Sequence, residues 1–140
     1  MASWKAKKGN PFEKLIAYNL KLLGYEVERI DDNTKGIDLL AKGVIKTGIV
    51  KTYVIECKFH KRFSWNEIEK ILDKTVKETC VKFVDSKDYI PIFIFKGNQQ
   101  PILVACKGRD NRMSIGTFQS WFNTNGEIEK IPKGYKVWRD

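Results

Sequence analysis

Residues 49–59 read IVKTYVIECKF, the longest strand signal in the chain, rich in valine, isoleucine and tyrosine. Such a composition is typical of a β-strand. Because side chains alternate between the two faces of a strand, Glu56 and Lys58 are expected to point the same way. The opposite face, which we expect to pack under the helix that follows, carries Tyr53, Ile55, Cys57 and Phe59.

The other elements are predicted from apolar periodicity and from turn residues on either side of this strand. Strands are expected over residues 25–30, 37–41, 90–95, 102–106 and 135–138. Helices are expected over residues 12–23, from residue 65 to between residues 84 and 87, and over residues 115–122. The helix-end signals are Asn10 with Pro11 and then Gly24 for the first helix, and a capping box of Ser64 with Glu67 for the second.

This order of elements favours a single α/β domain over residues 1–140, with a central mixed sheet flanked by helices. The core of that domain is expected at about residues 8–106. The tail at residues 107–140 carries no pattern to which a role can be assigned. We find no internal repeat and no linker long enough to divide the chain.

The overall charge points to a polyanionic partner. The 140 residues include 26 Lys and Arg against 17 Asp and Glu, a formal net charge of +9, and the pI is near 9.5. Such a balance favours nucleic acid or an anionic membrane surface as partner. No run of 18 apolar residues exists, so no membrane-spanning helix is expected, and no apolar segment follows the basic N-terminus, so no secretory signal is expected. Neither of the two main helices has a clean basic-amphipathic pattern, which disfavours membrane binding.

Cysteine usage favours an intracellular, cytoplasmic protein. The three cysteines are odd in number and widely spaced, a pattern that fits neither a disulfide framework nor a zinc site. We interpret them as reduced, packed thiols, and Cys57 as a core residue rather than a nucleophile. Because the chain has one histidine, neither a zinc site nor a serine–histidine–aspartate triad is favoured.

Two carboxylates interrupt strands that otherwise appear buried. Asp38 lies within the predicted strand 37–41, and Glu56 within the strand quoted first. Burying an ionised carboxylate without a partner costs several kcal/mol. On adjacent strands, Asp38 and Glu56 could share a hard cation such as Mg²⁺. The alternative is that Lys58 neutralises one of them in a purely structural ion pair.

A wider series of residues resembles a known family. The series consists of Glu13 in the first predicted helix, then Gly36-Ile37-Asp38, then Glu56-Cys57-Lys58. Together these residues resemble the PD-(D/E)xK nuclease superfamily, with Ile-Asp where that family has Pro-Asp. Four stretches narrow the resemblance: KG at 8–9, FE at 12–13, LLGYEV at 22–27 and GIDLLA at 36–41. They are similar to archaeal Holliday-junction resolvases and to Mrr-like restriction endonucleases. The resemblance covers about residues 8–96.

The resemblance implies a restriction-endonuclease-like core and a DNA endonuclease that uses Mg²⁺, with Mn²⁺ as a substitute. Asp38, Glu56 and the backbone carbonyl of Cys57 would bind the metal, and Glu13 would act through water or a second ion. Lys58 would orient the attacking water and stabilise charge on the phosphate. The alternative for Glu13 is an acid in the first helical turn, favoured by the helix dipole.

The resemblance also implies DNA as partner, including branched or junction DNA, and a homodimer. A junction-resolving enzyme is favoured because the sequence offers no separate sequence-reading domain. The alternatives are an Mrr-like duplex endonuclease and a non-catalytic, basic nucleic-acid-binding module whose acid–lysine cluster is structural.

Basic and polar residues near the predicted strand ends are candidates for contacts with DNA, expected along one edge of the sheet. Lysines that merely keep the domain soluble are the alternative, and Thr34 has the plainer interpretation of a turn residue. We expect Trp65 to pack rather than to stack on a base. The candidates are Lys5, Lys7, Lys8, Thr34, His60, Lys61, Arg62, Arg109 and Arg112.

Overall fold

The computed structural model describes residues 4–30, 36–44, 48, 50–83, 88–108 and 110–124; for residues 4–10, 44, 123 and 124 it describes the backbone alone. The elements are α1 (Trp4–Leu22), β1 (Glu26–Arg29), β2 (Leu39–Val44), β3 (Val50–Phe59), α2 (Trp65–Lys82), β4 (Tyr89–Lys96), β5 (Leu103–Lys107), β6 (Met113–Thr117) and α3 (Phe118–Thr124).

The six strands form one mixed sheet in the order β1-β2-β3-β4-β5-β6. All neighbours are antiparallel except β3 and β4, which run parallel. A parallel pair needs a crossover connection, and α2 provides it. The predicted α/β fold with a central mixed sheet flanked by helices is therefore confirmed.

Each face of the sheet has its own core. On one face α1 and α3 cover Tyr53, Ile55 and Cys57. On the other, α2 packs against Phe93 and Phe95. The expectation that the odd-numbered residues of β3 lie under the second helix is therefore wrong. Alternation along a strand determines which side chains share a face, but it does not determine which helix covers that face.

The start of α2 is as predicted. The Ser64 hydroxyl accepts a hydrogen bond from the Glu67 N–H at 3.2 Å, and the Glu67 carboxylate accepts one from the Ser64 N–H at 3.3 Å. This is the capping box that the sequence indicates. Trp65, the first helical residue, is 56% exposed. The expectation that Trp65 packs is wrong, because its side chain lies outside both cores.

Two helix predictions are wrong in their bounds. The first helix begins at Trp4 rather than residue 12, so Asn10 is not its N-cap and Pro11 lies inside it. A helix can continue through a proline if it forgoes one backbone hydrogen bond. Residues 115–117, expected to begin the third helix, belong instead to β6, which pairs with β5.

The predicted strand at residues 135–138 lies outside the described residues. Among the helices that the structure describes, none is long and apolar enough to cross a membrane.

Candidate functional site

Asp38 is fixed against β3 by two backbone contacts. Its N–H donates to the Ile55 carbonyl at 2.7 Å. Its carboxylate oxygen Oδ2 accepts a hydrogen bond from the Cys57 N–H at 2.8 Å. Asp38 immediately precedes β2, which runs antiparallel beside β3. The carboxylate therefore lies at the level of Glu56, as expected for two acids on adjacent strands.

Glu56 is buried beside Asp38, with 8% of the residue exposed. Burial, the side-chain hydrogen bond with Asp38 and the charge of Asp38 together raise its pKa from 4.5 to about 8. The charges of Lys58 and Lys74 lower the pKa, but by less. At neutral pH the folded state therefore favours the protonated form of Glu56.

Lys58 lies on the same face of β3 as Glu56, as alternation predicts. Its Nζ is 3.8 Å from Glu56 Oε2, and its side chain is 37% exposed. This is the ion pair of the structural alternative. However, the pKa of Glu56 remains raised although Lys58 is near. One lysine therefore does not offset the burial of Glu56 and the repulsion from Asp38.

The donor atoms at this point suit a small hard cation. In a strand, the N–H and the C=O of one residue point to the same side. Because the Cys57 N–H points at Asp38, the Cys57 carbonyl faces that side too. Two carboxylates and one carbonyl, with water completing the shell, match the preference of Mg²⁺. Within the described residues, no group of three or more His, Cys, Asp or Glu side chains is arranged to hold a metal.

Glu13 lies on α1, apart from the Asp38–Glu56 pair. Its Oε1 is 3.6 Å from Nη2 of Arg29. The helix-dipole interpretation of Glu13 is wrong, because α1 begins at Trp4 and has no acid in its first turn. The structure does not bring Glu13 into one ligand group with Asp38 and Glu56. A role through water or a second ion remains the prediction for it.

The Cys57 side chain belongs to the core, as predicted. It is buried under α1. Burial first, and then the charges of Asp38, Glu13 and Glu56, raise the pKa of its thiol well above the ordinary value. A thiol in this state is not a nucleophile at neutral pH. Cys57, Cys80 and Cys106 are all free thiols, but Cys80 is exposed, so the expectation that all three are packed is wrong for Cys80.

The sequence predictions missed two basic residues of this region, Arg29 and Lys74. Arg29 ends β1 and pairs with Glu13. Lys74 lies on α2, and its charge acts on Glu56. It also lies against the loop before Asp38: a Cβ added to Gly36 would be 3.6 Å from Lys74 Cγ. No local signal marks either residue, because both reach the site from neighbouring elements.

Three of the basic or polar candidates follow β3, at the end of the strand that carries Lys58. The His60 ring stacks on Phe63 with 4.9 Å between centroids, and its Nδ1 is 4.0 Å from Glu67. Lys61 and Arg62 follow, and both are exposed. The register of the parallel pair β3–β4 places this segment beside the C-terminal end of β4.

Arg112 lies at the opposite end of the sheet. Because β5 runs antiparallel to β4, the last residue of β5 lies near the beginning of β4, and so do Gly108 and Arg112, which follow it. The expectation that Arg112 shares one edge with Lys61 and Arg62 is therefore wrong. The Arg112 side chain is 85% exposed, with Nε 3.6 Å from Asp110.

Five of the candidates for DNA contact cannot be placed. Thr34 and Arg109 lie outside the described residues. The side chains of Lys5, Lys7 and Lys8 lie outside them as well, although their backbone belongs to α1.

Comparisons with known proteins find likeness among solved structures. No family model matches the chain, and no curated protein matches it. Among solved structures, the chain is similar to a Holliday junction resolvase from the archaeal hyperthermophile Archaeoglobus fulgidus, with 17% sequence identity and a TM-score of 0.46. The match covers 79% of this chain and 84% of that chain. A likeness at this level does not establish a shared activity.

Proposed function

We propose that this chain is a divalent-metal-dependent DNA endonuclease that hydrolyses phosphodiester bonds. The observation that carries the proposal is the buried Glu56 beside the partly buried Asp38. The pKa of Glu56 is raised to about 8 although Lys58 is 3.8 Å away. Such a pair destabilises the fold unless a cation joins it. Perturbed carboxyl groups beside a lysine are typical of functional sites.

The metal ligands in this proposal are Asp38, Glu56 and the backbone carbonyl of Cys57, with Mg²⁺ as the ion and Mn²⁺ as a substitute. When bound, the ion would lower the pKa of a coordinated water and polarise the phosphoryl oxygen. The hydrogen bond from the Cys57 N–H keeps the Asp38 carboxylate oriented. Glu13 contributes through water or a second ion.

Lys58 is the proposed catalytic lysine. Its ammonium group lies beside Glu56 and is open enough to solvent to reach a bound phosphate. There it orients the attacking water and stabilises the charge that develops on the phosphate. His60, Lys61 and Arg62 continue from the same strand end and would contact the flanking DNA backbone.

For the substrate we propose branched DNA, as in a four-way junction, cleaved by a homodimer. Two sites related by a twofold axis suit a substrate in which two strands must be cut. Cleavage of unbranched duplex, as by a restriction-type enzyme, is the alternative. A basic module that binds DNA without cleaving it is the second alternative.

The test uses end-labelled four-way junction, matched duplex and single-stranded DNA with Mg²⁺, Mn²⁺ or EDTA. We expect metal-dependent cleavage of the junction, and loss of at least ~100-fold in rate for Asp38→Asn. The matched control is Asp88→Asn, which removes an exposed carboxylate just before β4. Asp88 lies near the beginning of β3, several residues from the level of Glu56. The nuclease proposal fails if the unmodified chain cleaves none of the substrates, or if Asp38→Asn cleaves as fast as the unmodified chain.

A further inference from the structure

A cavity of about 340 Å³ lies next to the proposed active site, between the segment that follows β3 and the turn from β4 to β5. Its floor is apolar and partly aromatic, formed by Phe63, Phe95, Leu103 and Ile115. Its rim includes Lys61, Arg62 and Asn98. Binding pockets for small molecules have this size and this mixture of apolar floor and few polar groups.

Backbone hydrogen bonds hold the loops that line this cavity in place before any ligand binds. The Asn98 N–H donates to the Lys61 carbonyl at 3.0 Å, and the His60 N–H donates to the Lys96 carbonyl at 3.2 Å. The two loops approach so closely at Gly97 that a Cβ there would be 3.3 Å from the Lys61 carbonyl oxygen. The rim residues are therefore attached to a fixed frame.

The chemistry of the cavity suits a flat apolar group that carries a phosphate. The Phe63 ring packs edge-on against Phe95, with 5.0 Å between the ring centroids, so that part of the cavity floor is aromatic. No carboxylate of the described residues forms an ion pair with Lys61 or Arg62. These two cations are thus available to an anion at the rim. A nucleobase stacks on apolar and aromatic side chains, and its phosphate pairs with basic groups.

The cavity adjoins the proposed catalytic lysine. In the β3–β4 register, Lys58 lies opposite Phe95, and neighbouring strands are about 4.8 Å apart. The cavity floor therefore begins one strand away from Lys58, on the face of the sheet that carries Glu56. A DNA strand whose phosphate lies at Lys58 passes the mouth of the cavity within a few nucleotides.

We propose that this cavity binds one unpaired base of the DNA substrate, next to the phosphate that is cleaved. The proposal rests on the proposed function, because it takes its DNA from that site. A paired base cannot enter, since it must leave its stack and its partner to reach the pocket. The cavity would therefore make the protein select DNA with an unpaired nucleotide, as occurs at branch points and bulges.

The test measures binding in EDTA, so that it does not depend on cleavage. The probes are a duplex with a single bulged 2-aminopurine and the same duplex fully paired. We expect the unmodified chain to bind the bulged duplex about 10-fold more tightly, with a change in 2-aminopurine fluorescence, since stacking of one base is worth about that factor. Ile115→Trp fills the cavity and should remove both the preference and the fluorescence change.

Lys77→Gln, which removes an exposed charge from α2 outside the cavity lining, should keep both. Circular dichroism and urea unfolding check that the variants fold, and Leu103→Phe is a milder filling of the same cavity. An unchanged preference in folded Ile115→Trp or Leu103→Phe overturns the proposal, as does equal binding of both duplexes by the unmodified chain. A chain that prefers the bulge but cleaves nothing with Mg²⁺ supports the pocket and refutes the nuclease. A chain that cleaves with Mg²⁺ but does not prefer the bulge supports the nuclease and refutes the pocket.

Discussion

Replacing Glu56 by Gln removes the titrating group of the candidate site while nearly preserving its shape. In the folded chain, burial and then Asp38 raise the pKa of Glu56 from 4.5 to about 8. In the unfolded chain the ordinary pKa of 4.5 returns. Between these two pH values the folded state therefore holds a proton that the unfolded state has lost.

The consequence for stability follows from linkage. Each unit of difference in pKa corresponds to about 1.36 kcal/mol, so a shift from 4.5 to about 8 corresponds to at most about 5 kcal/mol. Because the folded-state pKa is raised, the stability that protonated Glu56 provides is fully present below pH 4.5. It is lost as the pH rises through about 8. The Glu56→Gln variant has no such loss and should gain several kcal/mol relative to the unmodified chain over this range.

The assay is urea unfolding followed by circular dichroism, in EDTA, at about pH 5, pH 6.5 and pH 8.5. Glu28→Gln, which replaces an exposed carboxylate on β1, is the matched control and should give a difference that is nearly constant with pH. If the difference between Glu56→Gln and the unmodified chain is equally constant, Glu56 does not titrate in this range. The proposed carboxyl pair is then refuted.

Three further perturbations test the site and its supports. Lys58→Met should lower the cleavage rate by about 10²- to 10⁴-fold in a gel assay, while DNA binding in EDTA falls only a few-fold. Gly36→Ala should lower the free energy of unfolding by about 1–2 kcal/mol, measured in urea, because φ is +87° at this residue and the added Cβ would be 3.4 Å from Glu78 Cγ. Ser64→Ala should cost about 1 kcal/mol in the same assay, because the hydroxyl that caps α2 is lost.

Each of these three has its own control. Lys70→Met, on the exposed surface of α2, should leave cleavage intact, and an equal loss there would show that Lys58 acts only through general charge. Gly116→Ala is the glycine control, because a Cβ there meets nothing within 4 Å. Ser64→Asp should keep the stability of α2, since aspartate also caps helices. A loss as large as that of Ser64→Ala would contradict the capping explanation.

Features that depend on local sequence were predictable. The capping box and the helical spacing behind it gave the start of α2, because both signals lie within a few residues of each other. The alternation along β3 predicted that Glu56 and Lys58 share a face, and their side chains are 3.8 Å apart. Asp38 was expected beside Glu56 because two consecutive strands usually pair.

Features that depend on distant pairing were not predictable. Residues 115–117 have a spacing compatible with a helix, but they form a strand because β5 offers them an edge. Arg29 and Lys74 reach the site from β1 and α2, and their positions depend on how those elements pack. Which face of β3 is covered by α1 was also not predictable, since alternation along a strand does not determine which helix packs on a face.

Residue 57 serves two parts of the protein through different atoms. Its side chain fills space in the core under α1, whereas its amide hydrogen bonds to the Asp38 carboxylate on the other side of the backbone. Every amino acid except proline supplies that amide. The middle position of Glu56-Cys57-Lys58 is therefore open to exchange with any side chain that fits the core, such as alanine or valine. Variation there would track the packing of α1 and carry no information about the chemistry of the site.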